Sequence, residues 1–298
     1  MGGNLKEIRR KIASVQNTQK TTRAMKLVSA SKLKKAEEIA KQARVFATKL
    51  SEVFEEIVQR VASVGFENLN IPIFQASKQR EIKVVDIIFI TAEKGLCGAF
   101  NQSTIKEVTA LLKHYENKKI KVRLRGIGKK GVSFFHFNHI AILDEAHDLS
   151  SAPNYKRASE FLKRSVDDFI AGETDEVLIV YNGFKSVISQ EVRVKNILPF
   201  YVHKEVENRE HPVMSADPED SEERILQDLS TQYLDYNIYY ALLDSLVAEH
   251  SARVQAMEAA TNNAGNLVRS LTISYNKARQ EAITTELVEI NAGVEAMK

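Results

Sequence analysis

Two stretches without an interior proline, one at each end of the chain, constrain the fold more than anything else in it. The longer runs from Asp217 to about Ala292. It opens as helices open, with Asp217 placed as N-cap, Pro218 at the first helical position, and Glu219, Asp220, Glu222 and Glu223 at the positive end of the dipole. From Leu226, Leu229, Tyr233 and Tyr236, through Val247, His250, Met257 and Thr261, to Tyr275, Ala278 and Ala282, the seam residues step by three and four without a slip. That spacing is a coiled-coil seam. A helix of this size is roughly 100 Å long, more than a compact domain can bury. It requires a partner helix.

The partner is the other end. Asn4 to about Ala62 holds neither proline nor glycine. Leu5, Ile8, Ile12, Val15, Gln19, Thr22, Lys26, Ser29, Leu33, Ala36, Ala40, Ala43, Ala47, Leu50, Phe54, Ile57 and Val61 keep the same alternating step. Both frames span about eight heptads, and the intervening chain must return to its start, so the pair is expected to be antiparallel. With Leu5 near Ala282, the run Ala36–Ala47 falls opposite Tyr240–His250, small against large, and Ala43 comes close to Leu243 or Val247. Gln19–Ser29 then meets Met257–Val268, a level at which both helices turn polar or small. It is either a loosely packed section of coil or a place where side chains face a third partner.

All five prolines lie between Ile71 and Asp220, which marks an inserted globular domain. Within it Ile82–Thr91, Lys121–Arg125, Ile140–Leu143 and Glu176–Tyr181 read as strands, and Val187–Ile197 as a last, antiparallel one. Ser103–Tyr115 and Asn154–Ala171 read as helices. Alternating strands and helices predict a Rossmann-like α/β domain around a mostly parallel sheet. The expected organisation is 1–65 helix, 66–216 α/β domain and 217–298 helix, with Glu205–Asp217 a polar loop.

Composition excludes several classes. The formal net charge of +3 is not that of a nucleic-acid polycation. The single cysteine, Cys97, permits no internal disulfide and fits a reducing compartment. No signal peptide is expected from MGGNLKEIRRK, and the longest mainly apolar run, Val84–Ile90, is too short to span a bilayer. Ile8 to Ala36 carries nine basic residues, Arg23 and Lys26 among them, and no acid. A solvated face is the usual reading of such a run, but its i,i+4 repulsions favour an acidic partner surface. Nucleic acid lacks the stacking aromatics it would need there, and direct membrane insertion lacks a free apolar face.

Gly126-Ile127-Gly128-Lys129-Lys130-Gly131 matches the dinucleotide fingerprint after a strand. No helix is expected to open on its third glycine, so it reads as a basic turn, and no cofactor is expected. Gly95-Leu96-Cys97-Gly98 reads as a structural turn at the sheet's carboxyl edge, since no histidine is tied to the thiol. The histidines show no metal-ligand spacing.

Two segments carry a family resemblance. Ile12 to Leu33, IASVQNTQKTTRAMKLVSASKL, resembles the N-terminal signature of the γ subunit of the F-type ATP synthase, and Ser274 to Glu286, SYNKARQEAITTE, its C-terminal signature. Gly95, Leu96, Cys97 and Gly98 match the family's motif in the α/β domain. The resemblance implies a non-catalytic central rotor shaft at the cytoplasmic face of a bacterial inner membrane. It implies α and β subunits of the catalytic ring, the ε subunit and the c-ring as partners. It also implies that Arg23, Met25, Lys26, Arg253, Arg279, Gln280, Thr284 and Glu286 touch the stator, Met25 as an exposed thioether off the seam. Asn262 and Glu258 depart from the family, which often has aspartate and lysine there. A free-standing coiled-coil scaffold for an acidic partner is the alternative, and a nucleotide-dependent enzyme built on Gly126–Gly131 is a more distant one.

Overall fold

A computed structural model describes residues 2–64, 71–77, 81–200 and 221–297. The elements are α1 (Gly2–Val64), α2 (Pro72–Ala76), β1 (Val84–Ile90), α3 (Phe100–Asn117), β2 (Lys121–Ile127), α4 (Lys129–Phe137), β3 (Ile142–Ala146), α5 (Tyr155–Ile170), β4 (Glu176–Ser186), β5 (Ser189–Leu198) and α6 (Ser221–Glu295). The proposed cap Asp217, Pro218 and the Glu205–Asp217 loop lie outside the described residues, as does the side chain of Val61. The chain divides into two compact units, Met1–Ser31 with Arg253–Lys298, and Lys32–Ala252.

In the first unit the two helices run antiparallel. Arg9 reaches Tyr275, Thr22 meets Thr261, and Lys26 meets Glu258, so residue numbers fall on one helix as they rise on the other. Every expected seam residue here, from Leu5 to Ser29 and from Met257 to Ala282, is buried or half-buried, and most others are exposed. The periodicity of the sequence is therefore the periodicity of burial.

The second unit is built on a five-stranded sheet of order β3-β2-β1-β4-β5, parallel except for β5. Alternation assigns the two faces. Val85, Ile87, Phe89, Leu178 and Val180 join Ile105 and Val108 of α3 and Val132 and Phe135 of α4 on one side. Ile88, Ile90, Val177, Ile179 and Tyr181 join α5 on the other, together with Phe54 of α1 and Leu234, Ile238 and Leu242 of α6. All the strands and helices expected of the domain are present. Two short helices, α2 and α4, were not expected; both fall below the length at which helical periodicity can be read.

The small-against-large seam of this unit lies close to the expected register, in which Ala40 falls opposite Val247 and Phe54 opposite Tyr233. Val247 clusters with Leu33 and Ala36, with Ala40 packed against them. A uniform three-four spacing fits equally well after a shift of one turn, so individual side chains must confirm the register. Here aromatic pairs do so: Phe54 stacks on Tyr233 with centroids 4.1 Å apart, and Phe46 lies 4.5 Å from Tyr236.

Candidate interaction surfaces

The polar level of the first unit is a hydrogen-bonded layer. Thr22 and Thr261 share a 2.8 Å bond between hydroxyls, and Gln19 Nε2 donates to the Thr261 carbonyl at 3.5 Å. Gly265 faces Gln19, where a side chain would crowd the amide. Beside this layer, Gln19, Lys20, Arg23, Lys26, Leu27, Glu258, Thr261 and Asn262 line one open hollow, so Arg23 and Lys26 share a surface. Lys26 Nζ donates to Glu258 Oε1 at 2.7 Å, which gives the acid at that position a partner. Arg9 donates to Tyr275 Oη at 2.9 Å and lies over its ring, and Lys11 pairs with Glu7. Arg10, Lys20 and Arg23 are exposed and make no ion pair among the described residues. Met25 is half-buried rather than exposed, because its position beside seam residue Lys26 brings it to the flank of the helix pair. Arg253 is buried, at 8 % exposure.

Arg279, Gln280, Thr284 and Glu286 form a separate exposed group far along α6. Past Ala282 the helix changes character. Ile283, Leu287, Ile290 and Val294 keep a coiled-coil step yet are 49 %, 56 %, 57 % and 50 % exposed, with Val288 beside them. Among the described residues nothing covers this apolar stripe, although its spacing is that of a coiled-coil seam.

In the second unit the turn Gly95–Gly98 links β1 to α3. Gly98 takes φ +58° and Leu96, an exposed leucine, +61°, a backbone strained for a branched side chain. Cys97 is buried in a cluster with Ala92, Phe100, Ala248 and Ala252, and Asn101 Nδ2 donates to its Sγ at 3.2 Å. The thiol packs as a small apolar group.

The fingerprint-like glycines do open a helix, α4, contrary to the sequence reading, but packing accounts for all three. A Cβ on Gly126 would lie 2.7 Å from Phe89, one on Gly131 2.7 Å from Phe89, and one on Gly128 1.9 Å from the Thr91 carbonyl. Gly128 also holds φ +96°. The chain supplies its own anion at the start of α4, for Glu93 accepts from Lys129 N at 3.3 Å and from Asp148 N at 2.8 Å. A carboxylate occupies the place a pyrophosphate takes in that motif.

One feature of the sheet was not legible in the sequence. Asp86, the only charge in the β1 run, is fully buried; it accepts from Arg123 at 2.6 Å and 3.0 Å and from Arg125 at 2.9 Å. Asp144 and Asp168 complete the coordination of the two arginines. The hydrogen bond that Arg123 donates to Asp86 raises the Arg123 pKa further, against the opposing effect of burial. Parallel register places Asp86 beside Arg123, and nothing in the spacing of either strand reveals that pairing.

Among the described residues no helix is long and apolar enough to cross a membrane. A family model described as ATP synthase matches residues 4–297. The ATP synthase gamma chain of Wolinella succinogenes is 58 % identical over 298 residues, spanning both chains completely. That of Helicobacter pylori strain Shi470 is 57 % identical over 299 residues, 99 % of each chain. The chain belongs to the ATP synthase gamma chain family. Among solved structures, it is similar to a chain of the central stalk and c-ring of the mitochondrial ATP synthase of Tetrahymena thermophila. That match is 27 % identical at TM-score 0.57 and covers 80 % of this chain and 99 % of that one. The rotor of the Euglena gracilis mitochondrial ATP synthase shares the fold, with 16 % identity, TM-score 0.66 and coverage of 95 % and 100 %. The two segments read in the sequence as resembling that family, Ile12–Leu33 and Ser274–Glu286, include the polar residues Gln19 and Thr22 and the exposed Arg279, Gln280, Thr284 and Glu286.

Proposed function

We propose that this chain is the central rotor shaft of an F-type ATP synthase, bound peripherally at the cytoplasmic face of a bacterial inner membrane. Proton flow through a c-ring turns it, and its asymmetric surface drives the catalytic β subunits through different conformations, a coupling by differential contact with alternative states. The α/β domain, about 66–216, works against the c-ring and ε subunit. The helices, 1–65 and 217–298, work against the α and β subunits.

The observation that carries this reading is the uncovered stripe Ile283–Val294, on the helix that bears the C-terminal family signature. An apolar sleeve formed by the α/β ring would cover it. Arg23, Met25 and Lys26 would meet an acidic segment of β. Arg279, Gln280, Thr284 and Glu286 would meet ring loops, with Arg253 reaching the stator only by its narrow exposed edge. The polar layer and the hollow beside it support the same arrangement, because they combine unpaired cations with flexible contacts.

Deleting Leu287–Lys298 tests it. The assembled complex should lose torque or assemble more weakly, while the melting of the isolated chain stays unchanged, because the deleted apolar groups are exposed among the described residues. Full coupled activity after the deletion would leave the stripe without a role and the sleeve without support.

A further inference from the structure

In the second unit α6 carries a stripe distinct from its seam. Asn237, Asp244 and Ser251 recur at heptad spacing, each one residue after a seam position (Tyr236, Leu243, His250). All three are buried, and all three bind the β4–β5 hairpin. Lys195 Nζ donates to Asn237 Oδ1. Arg193 Nη1 donates to Asp244 Oδ2 at 2.6 Å, and Phe184 N donates to Asp244 Oδ1 at 3.3 Å. Gln190 Nε2 donates to Ser251 Oγ at 3.2 Å, and Ser251 Oγ donates to the Val187 carbonyl at 2.8 Å. The hairpin approaches the helix so closely that a Cβ on Gly183 would lie 2.7 Å from Asp244 Oδ2.

The apolar contacts around this stripe, such as Leu234, Ile238 and Leu242, are non-directional, and each loses only part of its attraction when the helix turns slightly about its own axis. Hydrogen bonds are directional. A rotation of α6 by a few tens of degrees would break all three contacts at once, because a heptad step keeps them on one line along the helix. An ion pair of this kind, with Asp244 buried and Arg193 half-buried, is weak evidence of stability, since apolar residues of like volume often do as well, but it does fix orientation.

We propose that Asn237, Asp244 and Ser251 form a torque clamp, a line of positioning residues that holds the azimuth of α6 on the sheet so that rotation of the α/β domain passes to the helix without slip. This rests on the rotor reading. It adds where within the chain the torque is transferred.

The test uses the assembled complex in membrane vesicles, with ATP hydrolysis and proton pumping measured together. In Asp244→Ala the ratio of clamped to slipped arrangements should fall about tenfold or more, the cost of losing hydrogen bonds to a charged group. Hydrolysis should persist while protons pumped per ATP decline, and the decline should deepen as the proton gradient builds against the rotor. A variant that is merely less stable would show no such dependence on load. The reversed pair Arg193→Asp with Asp244→Arg should recover part of the coupling. If Asp244→Ala fails to assemble, Ser251→Ala and Asn237→Ala remove single neutral contacts and should show the same load dependence in smaller measure. Wild-type coupling under load in every variant that assembles overturns the clamp. Vesicles reconstituted without the chain separate the two readings, because coupling that survives its omission would end the rotor reading itself.

Discussion

The same helix behaves differently in the two units. In Lys32–Ala252, α6 is buried nearly all round: Leu234, Ile238, Leu242, Ala248 and Ala252 are covered, as are the polar Asn237, Asp244, Ser245 and Ser251. From Met257 onward little beyond the seam is covered, and past Ala282 almost nothing is among the described residues. Where a helix has one partner, its burial is a narrow stripe and its interface tolerates Thr, Gln and Gly. Where it has a partner helix and a sheet, every face is specified and polar groups must find fixed bonds. Substitutions should therefore cost most in the second unit and least in the first.

The largest effect is expected at Gly128. An alanine there puts Cβ 1.9 Å from the Thr91 carbonyl, a backbone atom that cannot step aside, at φ +96° where a side chain is strained anyway. Gly128→Ala should destabilise the purified chain by about 4 kcal/mol or more, read as the denaturant midpoint. A loss under about 1 kcal/mol would mean that β1 and β2 yield easily and that the second unit is not rigidly specified.

Alkaline pH gives an intermediate effect. Burial, with Asp244 nearby, pushes the Tyr181 hydroxyl up to about 12 despite its bond with Arg193. A pKa raised on folding gives stability that is fully present below the unfolded value, near 10, and lost as pH rises through about 12. A rise of that size corresponds to about 3 kcal/mol at most. Tyr233 and Tyr240 are pushed upward by burial as well, so the wild-type curve will be steeper than one tyrosine explains. Denaturant midpoints at pH 9 and pH 11 should therefore converge in Tyr181→Phe relative to wild type, without becoming equal. An unchanged gap would show that the hydroxyl ionises freely and that the sheet face beneath α6 is open to solvent.

The contrast between the units also explains what could be read from the sequence. The seam from Leu5 to Ile57 was legible residue by residue, because one partner imposes one period on the chain. The strands were legible from their apolar runs and the order of elements. The register of α1 on α6 followed from matching the two frames end to end, which sets Phe54 opposite Tyr233 and Ala40 opposite Val247. The Asp86–Arg125 cluster and the Asn237–Asp244–Ser251 line were not legible, for their partners lie on strands remote in sequence. Gly126, Gly128 and Gly131 drew attention as a motif, but the reason for them is Phe89 and Thr91, more than thirty residues earlier. The residues assigned to stator contact came from family resemblance rather than from pattern, and the exposure of Arg23, Arg279, Gln280, Thr284 and Glu286 is compatible with that role.

The smallest effect is expected at Gly265, and its sign carries the information. An alanine there meets only Gln19 Nε2, at 2.9 Å, and the next atom, the Gln19 Cδ, is 4.0 Å away. The obstacle is the end of a flexible side chain, which can swing aside at the cost of a long bond to the Thr261 carbonyl. Against that loss stands the helix propensity gained on replacing an interior glycine, about 1 kcal/mol. Gly265→Ala should therefore be neutral to stabilising by up to about 1 kcal/mol, whereas Gly128→Ala is ruinous. Adding Gln19→Ala isolates the remaining term, because a double-mutant cycle measures whether the amide and the glycine act together. A coupling below about 0.5 kcal/mol would mean that the polar layer is loosely held and leaves Gln19 free to face a partner. A destabilisation above about 1 kcal/mol, lost when Gln19 is truncated, would mean that the layer pins the two helices in register. The first unit would then be as tightly specified as the second.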